Sequence, residues 1–255
     1  NKRNFKHFFN LIKFYPKSVR KYSKNYSSFN SLDDIGNYFE IQKYNKIIAV
    51  ASGPSSKNIK HEKNAIYITT NRGLKLVRKD FIYIVNDYYY LVKYLKNFNE
   101  NNYWKGTIFF PFLTEKEFKS REIRLLVNYL NNKSRSKNEF FISNFLNEIV
   151  LNDVFSNFLS ELNSATERSF FRVNSGFSIV LFAYLFSIKY NLELDIYGLD
   201  MGEGDGSYFD DENAKLGHSV NGKFSKEEVS DFFDVVYKKD TEKKIKNFSY
   251  FKNRI

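Results

Sequence analysis

Lys46-Ile47-Ile48-Ala49-Val50-Ala51-Ser52-Gly53-Pro54-Ser55 is the stretch on which the fold turns. Ile47 to Val50 form a short, mostly β-branched apolar run that reads as a buried strand, and Gly53-Pro54 marks a turn at its end. Three more such runs follow at Ala65–Ile68, Phe81–Val85 and Thr107–Phe110, and a fifth at Leu194–Leu199. Apolar runs without polar alternation belong to strands covered on both faces, as in parallel sheets. Residues 87–98, 115–131 and about 139–162 read as helical. Ser175 is expected to cap a long helix through Ile188. Ser225 and Glu228 have capping-box spacing at the head of a helix to about Lys238. A last short strand is expected between Phe248 and Phe251. The pattern predicts an α/β fold: one Rossmann-like domain with a mostly parallel sheet flanked by helices.

With 255 residues, 42% of them apolar, the chain can bury one sizeable core. The expected organisation is a basic aromatic extension over residues 1–44, a body over 45–238 with a mobile glycine-rich loop at about 201–217, and a basic tail over 239–255. In the leader, Phe5, Phe8, Phe9, Leu11 and Ile12 can share one side of a short helix, which suits a membrane-surface or partner-docking element and equally a helix packed on the body. The net charge of +11 favours an anionic partner, whether nucleotide sugar, acidic glycan, membrane surface or nucleic acid. Cysteine is absent, which excludes disulfides, a thiolate nucleophile and cysteine-ligated metal. No apolar run reaches the ~20 residues of a membrane span, and the start lacks a signal-peptide core. A cytoplasmic protein, peripheral at the inner membrane through its basic segments, is the expectation.

Several constellations can carry chemistry. Ser52-Gly53-Pro54-Ser55 lets backbone approach a ligand closely, although it has neither the lysine of a P-loop nor the dinucleotide fingerprint and also suits a plain turn. Asn71 and Asn86 close the next two strands, so Ser52, Asn71 and Asn86 can line one crevice at the carboxyl edge of a sheet; asparagine also closes strands for local reasons. Arg172, Asn174, Ser175 and Gly176 precede an apolar helix whose first N–H groups suit an anion, or form an ordinary cap beside a surface arginine. His218 has an imidazole suited to accept a proton near neutrality, although lone histidines are often structural. Tyr208 can hydrogen-bond a departing phosphate, in a chain where tyrosine is common. Asp200, Asp205, Asp210 and Asp211 raise the question of a divalent metal, but no Asp-x-Asp follows a central strand. Metal independence, no cofactor and a solvated acidic loop are expected.

In order along the chain, Gly53-Pro54-Ser55, Asn71, Asn86, Arg172 to Gly176, Gly198-Leu199-Asp200, Ser207-Tyr208 and Gly217-His218-Ser219 resemble the motifs of the bacterial CMP-sialic-acid-dependent sialyltransferases of glycosyltransferase family 42. The resemblance spans about Asn45 to Phe233. It implies a Rossmann-like sheet of the GT-A-like kind with a lid loop, metal-free binding of CMP around Asn71, Asn86, Ser175 and Gly176, His218 as general base and Tyr208 as phosphate partner. It implies inverting transfer of a sialic acid or related ulosonic acid, such as Kdo, from a CMP-linked donor to an oligosaccharide or glycolipid of the bacterial surface, a capsule or lipooligosaccharide. A homo-oligomer is a further expectation, separate from the resemblance. Two departures stand out: Ser52 where the family has asparagine, and Gly202 where it has a second phosphate-binding tyrosine. A different class remains as the alternative: a non-catalytic basic module that engages nucleic acid or an anionic membrane through leader and tail. So does an α/β enzyme using another nucleotide.

Overall fold

The computed structural model describes residues 28–29, 31–77, 81–85, 106–109, 139–143, 174–204, 208–211 and 223–252. Their framework is an all-parallel sheet of eight strands. In chain order these are β1 (Ser28–Phe29), β2 (Lys46–Val50), β3 (Ala65–Thr70), β4 (Phe81–Val85), β5 (Gly106–Phe109), β6 (Glu139–Ser143), β7 (Glu193–Tyr197) and β8 (Ile245–Asn247). The spatial order is β1-β6-β5-β4-β3-β2-β7-β8. From β2 the chain steps one way through β3 to β6, then returns to place β7 on the other side of β2. The order therefore reverses between β2 and β7, and such a reversal leaves a crevice at the carboxyl ends of the two strands.

Among the described residues, three α-helices cover one face: α1 (Leu32–Phe39), α2 (Ser175–Tyr190) and α3 (Lys223–Lys239). They connect β1 to β2, β6 to β7 and β7 to β8, all travelling in one direction across the sheet. Right-handed crossovers must then place them on the same side. Ile47, Ala49, Ile66, Ile68, Ile82, Ile84, Leu194 and Ile196 point into the core they share. The alternate residues Ile48, Val50, Tyr67, Thr69, Tyr83 and Tyr197 are buried as well. Burial of both faces is why these strands are written as continuous apolar runs.

Helix α2 is buried almost all round, from Phe177 to Ser187. Its fully enclosed Phe177, Phe182 and Phe186 each contribute about 1.5–3 kcal/mol relative to exposure. Phe177 and Tyr184 meet Phe232 of α3 edge-on, with ring centroids 5.2 and 5.6 Å apart. At the amino edge of the sheet, Lys46 ties three elements together: its Nζ lies 2.7 Å from Glu62, 3.2 Å from Glu193 and 3.2 Å from Asp195.

Several expectations are corrected. Residues 28–29 and 31–44, placed in an N-terminal extension, belong to the sheet and core: β1 pairs with β6, and Leu32, Ile35, Phe39, Ile41 and Tyr44 are buried; the leader helix expected around Phe5 to Ile12 lies outside the described residues. Helix α1 opens with a reciprocal cap, Asp34 N–H to Ser31 Oγ and Ser31 N–H to Asp34 Oδ2, both 3.1 Å. The tail is likewise structural, since β8 pairs with β7. Its strand is Ile245–Asn247, not Phe248–Phe251. Glu139–Ser143, read as the start of a helix, is a strand. Asn174 rather than Ser175 caps α2, accepting from Phe177 N–H at 2.8 Å, and Ser225 lies inside α3 rather than at its cap. The helices expected at 87–98 and 115–131 lie outside the described residues. Among the described residues, no helix is long and apolar enough to cross a membrane.

Candidate functional site

The carboxyl ends of β2 and β7 stay paired past the strands themselves. Ala51 N–H donates to Tyr197 O at 2.8 Å and Gly53 N–H to Gly198 O at 3.0 Å. This close approach requires glycine twice. A Cβ on Gly53 would stand 2.4 Å from Asp200 Oδ2 and 2.6 Å from Gly198 O, and one on Gly198 would stand 2.0 Å from Ser56 Oγ.

Asp200 fastens the turn. Its Oδ2 accepts from Ser55 N–H at 2.8 Å, and its Oδ1 accepts from Ser55 Oγ at 2.5 Å and Tyr250 N–H at 2.6 Å. Ser55 Oγ in turn accepts from Gly198 N–H at 3.0 Å. Asp200 is 2% exposed and Ser55 0%. Burial pushes the Asp200 carboxyl above its ordinary value, against the opposing pull of the Ser55 and Tyr250 donors. Asp200, Pro54 and Ser55, expected among donor-binding residues, are thus buried in the framework beneath the crevice, where Asp200 and Ser55 bond each other. Asp200→Asn keeps the shape but gives one oxygen a donor's chemistry, so a loss of about 1–3 kcal/mol of stability is expected in urea unfolding. Unchanged stability would remove the carboxylate from this role.

The head of α2 enters beside the same turn. A Cβ on Gly176 would lie 3.1 Å from Ala51 Cβ and 3.5 Å from Leu199 Cδ1. Asn174, Ser175 and Gly176 are only partly covered, so the helix end opens between the ends of β2 and β7. On the β3 side, Ser52 Oγ donates to Thr70 O at 3.5 Å, next to Asn71. Asn71 adopts φ +48°, a left-handed conformation that asparagine tolerates. It opens a 3-10 turn, Asn71–Lys75, pressed on the end of β2: a Cβ on Gly73 would meet Val50 O at 2.6 Å.

Two parts of the expected mobile loop are tied down. Met201 is buried, Glu203 N–H donates to Asp200 O at 2.7 Å, and Glu203 pairs with Lys226 of α3 at 2.6 Å. In the second part, Phe209 N–H donates to Ser52 O at 3.3 Å, and the Arg72 guanidinium lies 4.3 Å from the Tyr208 ring centre. Asp210, expected in a solvated acidic loop, is instead ion-paired with Arg72 at 2.8 Å and with Lys75. Burial alone would raise the Asp210 carboxyl, but hydrogen bonds from Lys75 and Arg72 outweigh it and hold it below its ordinary value.

The structure therefore brings Ser52, Gly53, Asn71, Asn174, Ser175, Gly176 and Tyr208 to one rim, with Pro54, Ser55 and Asp200 beneath it. His218, Asn86 and Arg172 lie outside the described residues. Sequence reasoning missed Arg72, Lys75, Ser249 and Tyr250. Ser249 Oγ accepts from Leu199 N–H at 3.0 Å. The Tyr250 ring covers Gly204, where a Cβ would lie 2.9 Å from Tyr250 Cδ2. The basic Arg-x-x-Lys directly after Asn71 was a usable signal; nothing local marked Ser249. Among the described residues, no group of three or more acidic or histidine side chains is placed to hold a metal ion. Compared with models of known families, with curated proteins and with solved structures, the chain matches none.

Proposed function

We propose that the protein is an inverting glycosyltransferase that moves a sialic acid or related ulosonic acid from a CMP-linked donor to a hydroxyl of a cell-surface glycan. The observation that carries this reading is convergence. Motif segments far apart in the chain, at residues 52–55, 71, 174–176, 198–200 and 208, meet at the reversal point between β2 and β7, where α/β sheets bind nucleotides.

In this reading the open head of α2 faces the donor phosphate with Ser175 and Gly176, and Ser52 and Asn71 border the nucleoside. His218 accepts the proton of the acceptor hydroxyl as its oxygen bonds to the anomeric carbon. The bond from that carbon to the phosphate oxygen breaks, its electron pair leaves with CMP, and Tyr208 hydrogen-bonds the departing phosphate. The net charge of +11 suits a donor that carries both a carboxylate and a phosphate.

The test is thermal unfolding with CMP, UDP or GDP, each with and without Mg²⁺. A ligand held at a hundred times its dissociation constant stabilises by about 2.7 kcal/mol. CMP alone is expected to raise Tm, equally with and without the metal. A response to UDP or GDP instead would assign another nucleotide, and salt-sensitive nucleic-acid binding with no nucleotide response would favour the basic binding module.

A further inference from the structure

Both oxygens of the Asp210 carboxylate are held by cations from one turn. Arg72 Nη1 donates to Oδ1 at 2.8 Å and Lys75 Nζ donates to Oδ2. Asp211 Oδ2 stands farther off, 3.7 Å from the same Arg72 nitrogen. A bridged oxyanion between a guanidinium and an ammonium is the arrangement by which proteins hold phosphate and carboxylate ligands.

The turn that carries the two cations is also fixed. Gly73 sits so close to the carbonyls of Val50 and Ala51 that a side chain has no room, at 2.6 and 3.2 Å. Arg72 is further steadied by the Tyr208 ring, and its side chain is only 15% exposed. The pair therefore joins a held, mostly covered guanidinium to a more exposed ammonium, an oxyanion receptor beside Ser52 and Asn71 on the rim of the crevice. The residue that fills it belongs to the chain itself, on a segment joined to that rim through Phe209 N–H to Ser52 O.

We infer that Arg72 and Lys75 form a binding site for the phosphate or carboxylate of an incoming ligand, and that Asp210 holds the site as an internal competitor which the ligand displaces. The exchange replaces one oxyanion by another, so neither cation loses a partner, while the displaced Asp210 carboxylate trades its two ion pairs for water. The inference rests on the glycosyltransferase reading only for the source of the anion. It explains how a rim can carry an acidic residue and still receive an acidic donor. It also makes Arg72 and Lys75 positioning residues for that donor.

The experiment is equilibrium binding of inorganic pyrophosphate, CMP, N-acetylneuraminic acid and cytidine to the wild type, Asp210→Asn, Asp211→Asn and Lys75→Gln. Asp210→Asn is expected to tighten pyrophosphate about five-fold, the factor by which a surface ion pair of ordinary strength holds off an outside anion, and to leave uncharged cytidine unchanged. Asp211→Asn should show a smaller gain. Lys75 is 48% exposed, so Lys75→Gln should fold normally and weaken pyrophosphate about three-fold, the loss expected for one exposed charge contact. Unaltered pyrophosphate affinity in either Asp210→Asn or Lys75→Gln overturns the inference. If CMP shares the gain, the site takes the donor phosphate; if N-acetylneuraminic acid shares it, the site takes the donor carboxylate. A gain for pyrophosphate alone keeps the oxyanion site and counts against the CMP-sugar reading.

Discussion

Replacing Gly198 by alanine is expected to cost roughly 2–5 kcal/mol of folding stability. Gly198 has φ +77°, where an L side chain is strained. The added methyl would also lie 2.0 Å from Ser56 Oγ and 2.8 Å from Ala51 O. Neither neighbour can yield, because Ser56 is fully buried and its hydroxyl donates to Ala51 O at 2.8 Å. The shift in Tm should be on the order of 5–15 °C for a chain of this size. Gly204 supplies the control, since it has the same φ of +77° but its neighbour is the ring of Tyr250. That ring is 47% exposed and can turn aside. Gly204→Ala should therefore show the backbone strain alone, about 1–2 kcal/mol. Equal losses in the two variants would refute the crowding argument at the junction of β2 and β7.

The second large effect concerns the reaction. Under the glycosyltransferase reading, His218→Ala should lower turnover by ~10²–10⁴, the contribution of a positioned general base, while CMP binds as tightly as before. The wild-type rate should rise with pH through the imidazole range near ~6.5, and that limb should vanish in the variant. Retained turnover with an unchanged pH profile would take the imidazole out of the chemistry. Loss of CMP binding would instead assign it to the nucleotide site. Transfer is to be followed by CMP release, with a sialyl donor and a range of glycan acceptors.

The centre of the sheet was legible because burial on both faces writes strands as apolar runs. Ile47–Val50, Ala65–Ile68 and Phe81–Val85 fall within β2, β3 and β4. The edges were not. Ser28–Phe29 and Ile245–Asn247 are two and three residues long, too short for any periodicity, and Lys246 faces solvent as an edge residue can. Glu139–Ser143 carries Phe140-Phe141-Ile142, a run that helix and strand share when length does not decide.

At the site, Gly53-Pro54-Ser55 and the head of α2 could be read locally, since turn chemistry and capping act over a few residues. The role of Asp200 could not. Its donors come from Ser55, 145 positions upstream, and Tyr250, 50 positions downstream, and no local pattern encodes a partner at such a distance. Asp210 failed for the same reason: its cations lie 138 and 135 positions earlier.

The position of β7 beside β2 has a bearing on biosynthesis. Ile48 waits for Asp195 to cover its second flank. At ordinary translation speeds of ~5–20 residues per second, that wait is on the order of ten seconds or more. Throughout it, one flank of a nascent β-branched strand keeps an unsatisfied ladder, and Ser249 and Tyr250, which bond the loop after β7, emerge later still. An edge left open for that long invites pairing with the wrong strand, so aggregation during synthesis is the hazard that this strand order carries.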